Sequence, residues 1–224
     1  MKRAPYTPPA SSQVSSAELP LRLSMTDALH FPPVVYLAGD SSLLRPDVPR
    51  VAVIGTRRPT EEGRMRTRRL VRELVSRGVC IVSGLAEGVD TVAHESAIEF
   101  GGRTIAVVGL PLDRCYPPSN AGLQELIARD HLLMSQFSPD EPTHPSFFVQ
   151  RNRTMALLAH ATVIIEAGDS SGTLSQASET MRSGRPLFIL RSALSREDLH
   201  WPQRFVARGA SILDSSDQVL GVVA

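Results

Sequence analysis

The sequence predicts an α/β fold, an extended Rossmann-like, doubly wound domain whose mostly parallel sheet has helices on both faces. Three observations predict it. Runs of consecutive apolar residues, as at residues 51–54, are typical of strands that are covered on both faces. Helical patterns separate these runs at the spacing of right-handed βαβ units. Turns rich in glycine and small polar residues follow several of the runs and precede helical patterns.

The predicted elements begin after a segment rich in proline and serine. Residues 1–24 lack apolar periodicity, which predicts a flexible tail, and residues 25–224 are predicted to form a single domain. Strands are predicted at residues 32–39, 51–54, 79–82, 104–108, 132–135, 162–165, 186–190 and 211–213. Helices are predicted at residues 60–78, 88–100, 120–129, 151–159, 173–183 and 203–208, with a last turn at 216–221.

The first long helical pattern carries clear end signals. Thr60, which follows a proline, is a suitable N-cap, and Gly78 is a suitable C-terminal stop. Between them, one face of the helix is apolar, with Leu70, Val71, Leu74 and Val75. His94 lies in the next helical pattern, where a packing histidine is the favoured interpretation.

The composition is that of an ordinary globular protein. The chain has 224 residues, of which 42% are hydrophobic and 21% charged, enough for one well-buried domain. Cys80 and Cys115 lack the spacing of a disulfide framework, which favours a reducing compartment. No apolar run reaches the ~20 residues of a membrane span, and the N-terminus lacks a signal-peptide pattern. We therefore expect a cytoplasmic protein with no membrane partner.

Several chemistries are excluded by the motifs. A Walker-type phosphate loop needs a lysine that this chain does not offer, because its one lysine is Lys2 in the predicted tail. The dinucleotide fingerprint is incomplete in every candidate turn, and the six histidines and two cysteines have no zinc-ligand spacing. No nucleophile and base form a recognisable pair. We expect no metal, no cofactor and no catalytic residue.

The positions of the charged residues are more informative about a binding partner than the net charge. The formal net charge of +1 does not indicate a nucleic-acid partner, since acidic residues balance the arginines. Arginines are dense in residues 64–77, where a solvated helix face is the favoured interpretation. Arg57 and Arg58 differ because they lie in the turn that precedes the helix. Glu61 and Glu62 occupy the first helical turn, where they would repel a phosphate.

The most unusual string joins two aromatics to an Arg-Asn-Arg sequence near a predicted helix start. Phe147 and Phe148 could stack on nucleobases, while Arg151, Asn152 and Arg153 offer groups that bind phosphates and bases. Taken alone, the string more often reflects buried aromatics and a solvated helix face. Its neighbouring turns are what favour a binding function.

Three further turns are predicted to meet at the same edge of the sheet. They contain Gly55, Thr56 and Arg57, then Ser83 and Gly84, and finally Ser171, Gly172 and Thr173. The carboxyl ends of parallel strands form the edge where ligands bind in open α/β sheets. The last turn is the strongest signal, since small residues at a helix start expose amide groups and the positive end of the dipole to a phosphate. Simple N-capping by Asp169 or Ser171 is an equally good explanation of that turn alone.

In order and spacing, five motifs resemble the DNA-processing protein A (DprA/Smf) family. They are VIGTR at residues 53–57, VSGLAEGVD at 82–90, TIAVVG at 104–109 with Tyr116-Pro117 after it, FVQRNR at 148–153, and IEA with SGTL at 165–174. The resemblance covers about residues 27–213. The chain departs from the family pattern at Glu87, where the family commonly has arginine and where a carboxylate would weaken phosphate binding.

The resemblance implies a non-enzymatic protein that binds single-stranded DNA in transformation and recombination. It also implies two partners, the RecA recombinase, which the protein helps to load on protected strands, and a second copy of the chain in a homodimer. By similarity, Arg57 and the Gly55-Thr56 backbone contact phosphate, and Phe147 or Phe148 stacks on a base. Arg151 and Arg153 line the groove, and the turn at residues 171–173 holds a second phosphate.

Two alternatives remain at the level of sequence. One is an enzyme or sensor for a nucleotide-derived small molecule, since residues 170–173 and Glu179 resemble the Gly-Gly-x-Gly-Thr loop and following glutamate of the Lonely-guy phosphoribohydrolases. The other is an interaction module with a vestigial groove. A strand binder should lose affinity steeply with salt, whereas a mononucleotide enzyme should not.

Overall fold

The structure of the chain, a computed structural model, describes residues 6–223. Residues 1–5 and 224 lie outside the described residues, and so does the part of the predicted flexible tail that falls on residues 1–5. Within the described range, no helix combines the length and hydropathy that a membrane crossing requires.

The described strands all belong to one sheet. They are β1 (Ser12–Ser15), β2 (Val34–Gly39), β3 (Arg50–Ile54), β4 (Cys80–Ser83), β5 (Thr104–Val107), β6 (Leu132–Ser135), β7 (Ala161–Ile164), β8 (Leu187–Leu190) and β9 (Ser211–Leu213). Their order is β1-β2-β6-β5-β4-β3-β7-β8-β9. The strands from β6 across to β9 are parallel, and β1 and β2 add an antiparallel edge.

Helices cover both faces of this sheet. They are α1 (Met25–His30), α2 (Glu61–Val75), α3 (Val89–Glu99), α4 (Ala121–Asp130), α5 (Ser146–Leu158), α6 (Thr173–Arg182), α7 (Arg191–Leu194), α8 (Trp201–Val206) and α9 (Ser216–Val223). Val51 and Val53 of β3 enter the core shared with α2, α3 and α9, whereas Ala52 and Ile54 enter the core shared with α5, α6 and α8. The doubly wound α/β fold predicted from the sequence is confirmed.

The winding of the sheet reverses at β3. The chain moves outward from β3 through β4, β5 and β6, and later returns to β7 on the other side of β3. In an open α/β sheet, such a reversal leaves a crevice outside the carboxyl ends of the strands. The candidate turns after β3, β4 and β7 all open onto this edge.

The predicted flexible tail is wrong for the segment that forms β1. Ser12–Ser15 pairs antiparallel with residues 34–37 of β2, and a 3-10 helix at Ser16–Glu18 follows. This strand has no apolar pattern in the sequence, because three of its four residues are serine or glutamine and only Val14 packs against the core. Backbone pairing at a sheet edge needs no apolar alternation, so periodicity cannot detect it.

The helix that carries the Arg-Asn-Arg sequence begins earlier than predicted. α5 starts at Ser146 rather than at residue 151, so Phe147 and Phe148 lie in its first turn and not in a loop. The residue before the helix is Pro145, which makes no side-chain capping bond. Without a polar cap, the start leaves little trace in the sequence. By contrast, the predicted N-cap Thr60 is confirmed, since its hydroxyl accepts a bond from the Gly63 amide of α2.

His94 of α3 packs in the protein interior, which is the interpretation that the sequence favours. Its side chain is fully buried, and Nδ1 lies 2.7 Å from the hydroxyl of Thr104. Because that hydroxyl donates to the Ile81 carbonyl, it accepts from the imidazole, which is therefore protonated on Nδ1. Burial, together with the positive charges of His131 and Arg151, lowers the pKa of His94 to about 3.

This burial predicts that acid weakens the fold. Above a pH of about 6.5, the usual histidine pKa, His94 is neutral in both folded and unfolded chains. As the pH falls below that value, only the unfolded chain takes up the proton, so the free energy of unfolding drops by about 1.4 kcal/mol per pH unit. The drop continues until the folded pKa of about 3 is reached. His94→Gln should reduce the slope of unfolding free energy against pH, measured by urea denaturation between pH 7 and pH 5.

The exposed His30 provides the matched control for this measurement. His30→Gln should leave the slope unchanged, because the His30 side chain is exposed to solvent and makes no buried contact among residues 6–223. An unchanged slope in His94→Gln would contradict the assignment of a buried neutral imidazole.

Candidate functional site

A cavity of about 480 Å³ opens at the carboxyl ends of β3, β4, β5 and β7. Most of the residues predicted as binding residues line it, namely Gly55, Thr56, Arg57, Gly84, Phe148, Arg151, Asn152, Ser171, Gly172 and Thr173. The fold therefore brings together turns that are far apart in the sequence, as the parallel topology predicts.

Three of the predicted binding residues have side chains engaged elsewhere. Ser83 is fully buried and donates to the Val53 carbonyl at 2.7 Å. Phe147 is buried and stacks on Phe137, with ring centroids 3.9 Å apart, so its faces are not available to a base. Arg153 donates to the Glu179 carboxylate at 3.1 Å and does not line the cavity.

The turn after β3 is held from both sides. The Thr56 amide donates to the Glu166 carbonyl at 2.7 Å, and the Thr56 carbonyl accepts from the Val89 amide at 3.1 Å. Gly88 approaches this turn so closely that a Cβ there would stand 2.4 Å from the Thr56 oxygen. Because the Thr56 backbone is bonded within the fold, the exposed side chains of Arg57 and Arg58 are the groups that this turn offers to a ligand.

The start of α2 is already occupied by a carboxylate. Glu166 accepts from the Thr60 amide at 2.9 Å and from the Thr60 hydroxyl at 2.6 Å. A Cβ on Gly63 would come within 2.4 Å of the same carboxylate. The negative group satisfies the positive end of this helix dipole, so α2 does not provide an anion site.

Of the two residues proposed from the sequence to cap α6, Ser171 bonds the first helical amide and Asp169 does not. Gly172 is the N-cap and makes no side-chain bond, while the Ser171 hydroxyl accepts from the Thr173 amide at 3.2 Å. Asp169 does not cap α6, because its carboxylate accepts from the His200 amide and, at 2.8 Å, from the Trp201 amide. The cavity side of α6 therefore presents its dipole and the hydroxyls of Ser171 and Thr173.

Arg151 lies at the base of the cavity and joins two strand ends. It is buried, and its Nη1 donates to the Val107 carbonyl of β5 at 2.6 Å. The guanidinium also lies against Gly84, where a Cβ would stand 1.8 Å from Nη1. Asp90 accepts from the Gly84 amide at 3.1 Å and supplies the nearby negative charge.

Burial dominates the electrostatics of this pair. It raises the pKa of Asp90, and the positive charge of Arg151 opposes that rise. Burial likewise lowers the pKa of Arg151, and the Asp90 charge opposes that change. The two groups thus compensate one another inside the protein, which limits the positive charge that Arg151 presents to a ligand.

An aromatic pair stands at the rim of the cavity. Phe148 is half-buried and meets Tyr116 edge to face, with centroids 5.9 Å apart. Tyr116 is 51% exposed and lines the cavity beside Arg114 and Pro117. Tyr116 is not among the binding residues predicted from the sequence, although it lies in one of the motifs that resemble the family. Its position after β5, at the same strand edge, was the available signal.

The arginines fall into two groups that the sequence only partly separates. On α2, Arg66 pairs with Glu62, Arg68 with Glu99 and Arg69 with Glu73, in agreement with a solvated charged face. Among residues 6–223, neither Arg57 nor Arg58 belongs to an ion pair, and both line the cavity. Glu87 also lines the cavity and accepts from Ser119 at 3.2 Å. In the part of the chain that the structure describes, no group of three or more His, Cys, Asp or Glu side chains suits a metal ion.

A known protein family accounts for this arrangement of turns. The model of the family described as DNA recombination-mediator protein A matches residues 12–224. The chain belongs to this family. The DprA/Smf resemblance seen in the sequence is thereby confirmed.

Relatives share both sequence and structure with the chain. Protein Smf of Synechocystis sp. is 37% identical over 191 residues, which cover 84% of this chain and 48% of that protein. The DNA processing protein DprA of Streptococcus pneumoniae is 35% identical over 189 residues, which cover 84% of this chain and 66% of that protein. The chain thus spans about half to two thirds of the length of these curated relatives.

Solved structures of the family superpose well. The crystal structure of DprA from Streptococcus pneumoniae has a TM-score of 0.83 at 31% identity and covers 95% of this chain and 74% of that one. DprA from Helicobacter pylori has a TM-score of 0.78 at 30% identity and covers 95% of both chains. The latter structure was described as giving insight into the single-stranded DNA binding mode of that protein.

The close approach of Gly84 to Arg151 predicts that Gly84→Ala destabilises the protein. The added methyl would overlap the guanidinium and force it off the Val107 carbonyl. Overpacking of this kind costs about 1–3 kcal/mol of unfolding free energy, to be measured by urea denaturation. Gly122→Ala in α4 is the control, since no atom lies within 4 Å of a Cβ there and alanine favours a helix. Equal stabilities of the two variants would contradict this packing.

Proposed function

We propose that this chain binds single-stranded DNA in the cavity at the carboxyl edge of its sheet and catalyses no reaction. One observation carries the proposal: Arg57, exposed and in no ion pair among residues 6–223, lines the same cavity as the open aromatic side chains of Phe148 and Tyr116. Guanidinium groups grip phosphates, and aromatic faces accept unstacked bases. The single-stranded DNA binding described for the Helicobacter pylori relative supports the proposal.

Two features favour a single strand over a duplex. Phe148 can receive a base only when that base is unstacked from its neighbours, which a duplex resists. A duplex is also held mainly through its phosphates, whereas the formal net charge here is +1 and three of the α2 arginines pair with carboxylates. We therefore expect binding to combine few phosphate contacts with base stacking.

The enzyme alternative is less well supported by the geometry. It depends on Glu179 acting with the residue 170–173 loop, but the Glu179 carboxylate accepts from Arg153 and Arg182. Glu179 is not among the residues that line the cavity. A binding protein is therefore the function that we propose, and turnover of nucleoside monophosphates is the activity that would argue against it.

We further propose that the chain acts in transformation and recombination as a homodimer that protects the strand and helps to load RecA. Family membership supports this part of the proposal. Sedimentation of the purified protein tests the dimer. Formation of RecA filaments on single strands covered by single-strand binding protein, with and without this protein, tests the loading role.

Arg57→Ala should weaken binding of a labelled oligo-dT strand and flatten its salt dependence. Each phosphate contact to a single strand contributes about −0.7 to the slope of log affinity against log salt concentration. Loss of one contact should therefore reduce the slope by about 0.7. Fluorescence anisotropy at a series of salt concentrations measures this slope.

Arg77→Ala is the matched control for this substitution. It removes the same charge from an exposed site just beyond the C-terminal end of α2, and it should leave the slope unchanged. Equal slopes for both variants would count against Arg57 as a phosphate ligand.

Substitutions at two adjacent phenylalanines distinguish a role in DNA binding from a role in stability. Phe148→Leu should weaken oligo-dT binding by about 1–3 kcal/mol, the value of a base-aromatic stack, with little change in stability. Phe147→Leu should lower the unfolding free energy by about 1–2 kcal/mol, since it breaks the buried stack on Phe137. Anisotropy and urea denaturation of both variants test the contrast. Unaltered DNA affinity in Phe148→Leu would remove the aromatic from the binding site.

A further inference from the structure

Gln176 of α6 has a buried side-chain amide that the fold does not satisfy. The residue is 2% exposed, yet it lines the cavity. Among the described residues, neither Oε1 nor Nε2 has a hydrogen-bond partner. Buried amides in folded proteins are normally bonded, because burial without a partner costs free energy. A bound molecule that reaches this wall of the cavity would supply the missing partner.

One neighbour on α5 shares this property, and the residue after it adds a further polar side chain to the same wall. Arg151 is 7% exposed, and its Nε is buried without a partner among the described residues. Asn152 is 8% exposed and lines the cavity, and its side chain has no hydrogen bond within residues 6–223. α5 and α6 pack against each other, so these groups converge from two adjacent helices. We call Arg151, Asn152 and Gln176 the polar recess.

The polar recess has the chemistry of a base-reading surface. Each amide offers one acceptor and one donor side by side, which matches the edge of a nucleobase. A phosphate would meet only part of this set, because it has no donor for the two amide oxygens. Met155 and Ile54 line the same cavity and add apolar surface for a planar ring.

We propose that the polar recess receives the hydrogen-bonding edge of one unstacked base of the bound strand, and that Gln176 is its specificity-determining residue. This inference rests on the proposed function and deepens it. The base enters past the Phe148 and Tyr116 pair, and the phosphates remain near Arg57. The Arg151 Nε is a donor only, so it favours a base that carries an additional acceptor. On their Watson–Crick edges, thymine and cytosine offer O2 in that role, whereas guanine presents the N2 donor at the corresponding position.

The test compares wild type with Gln176→Leu, which keeps the approximate side-chain size and removes both polar atoms. Anisotropy is measured with a labelled oligo-dT, with a dG-rich strand of equal length, and with an all-abasic strand of equal length. Gln176→Leu should bind oligo-dT about tenfold more weakly than wild type, the loss expected for a buried amide left without its partner, and should bind the abasic strand equally well. Its salt slope should be unchanged, because no phosphate contact is lost. The preference of wild type for dT over dG should shrink in the variant.

Stability provides a second and independent readout. Because the Gln176 amide makes no bond among the described residues, replacement by leucine should leave the melting temperature unchanged or raise it. A fall in melting temperature would assign Gln176 a structural role and overturn the inference. The control is Gln150→Leu on the exposed side of α5, which should change neither stability nor base preference.

The outcomes separate the two proposals. If wild type binds oligo-dT and Gln176→Leu matches it, or loses affinity equally for oligo-dT and the abasic strand, the base-reading role is refuted while DNA binding stands. If wild type binds none of the strands, the proposed function fails and this inference fails with it.

Discussion

The binding edge of this protein depends on one buried guanidinium. Arg151 bonds the end of β5 through Val107, lies against Gly84 at the end of β4, and has Asp90 as its charge partner. Two strand ends are thereby held at a fixed separation beneath the cavity. A lysine could not fill this position equally, because its ammonium lacks the flat fork that packs on Gly84 while donating to a carbonyl. An arginine whose sequence context indicated phosphate binding thus acts first as a framework residue.

The starts of α2 and α6 differ in which groups face the positive end of the helix dipole. At α2, the Glu166 carboxylate and Thr60 occupy the positive end of the helix. At α6, a glycine N-cap leaves the helix start facing the cavity. An anion that enters the cavity therefore meets the exposed Arg57 and the start of α6, with Glu87 as an opposing charge on the wall. Positive and negative groups are therefore placed asymmetrically around the cavity. The formal net charge of +1 does not indicate this arrangement.

Sequence patterns predicted the repeated strands and the edge where their turns meet. They did not predict features that depend on the surroundings of single side chains. The central strands were predictable because each is apolar on both faces, and their order placed the turns at one edge. Phe147 and Phe148 could not be told apart, because their environments depend on where α5 begins, and Pro145 leaves no polar cap to mark it. Gln176 escaped selection because a lone glutamine in a helix resembles any solvated residue. Only burial without a partner among the described residues distinguishes it.

The turn between β7 and α6 is bonded to a residue whose fluorescence can be measured. The chain has one tryptophan, Trp201, whose ring nitrogen donates to the Ala167 carbonyl at 2.9 Å and whose amide donates to Asp169 at 2.8 Å. The indole is fully buried, two residues of that turn fix it, and the turn continues into Ser171 and Gly172 at the cavity. Emission from this single indole therefore reports on the turn that leads into Ser171 and Gly172. The protein carries a built-in spectroscopic probe of its own loop, with no label required.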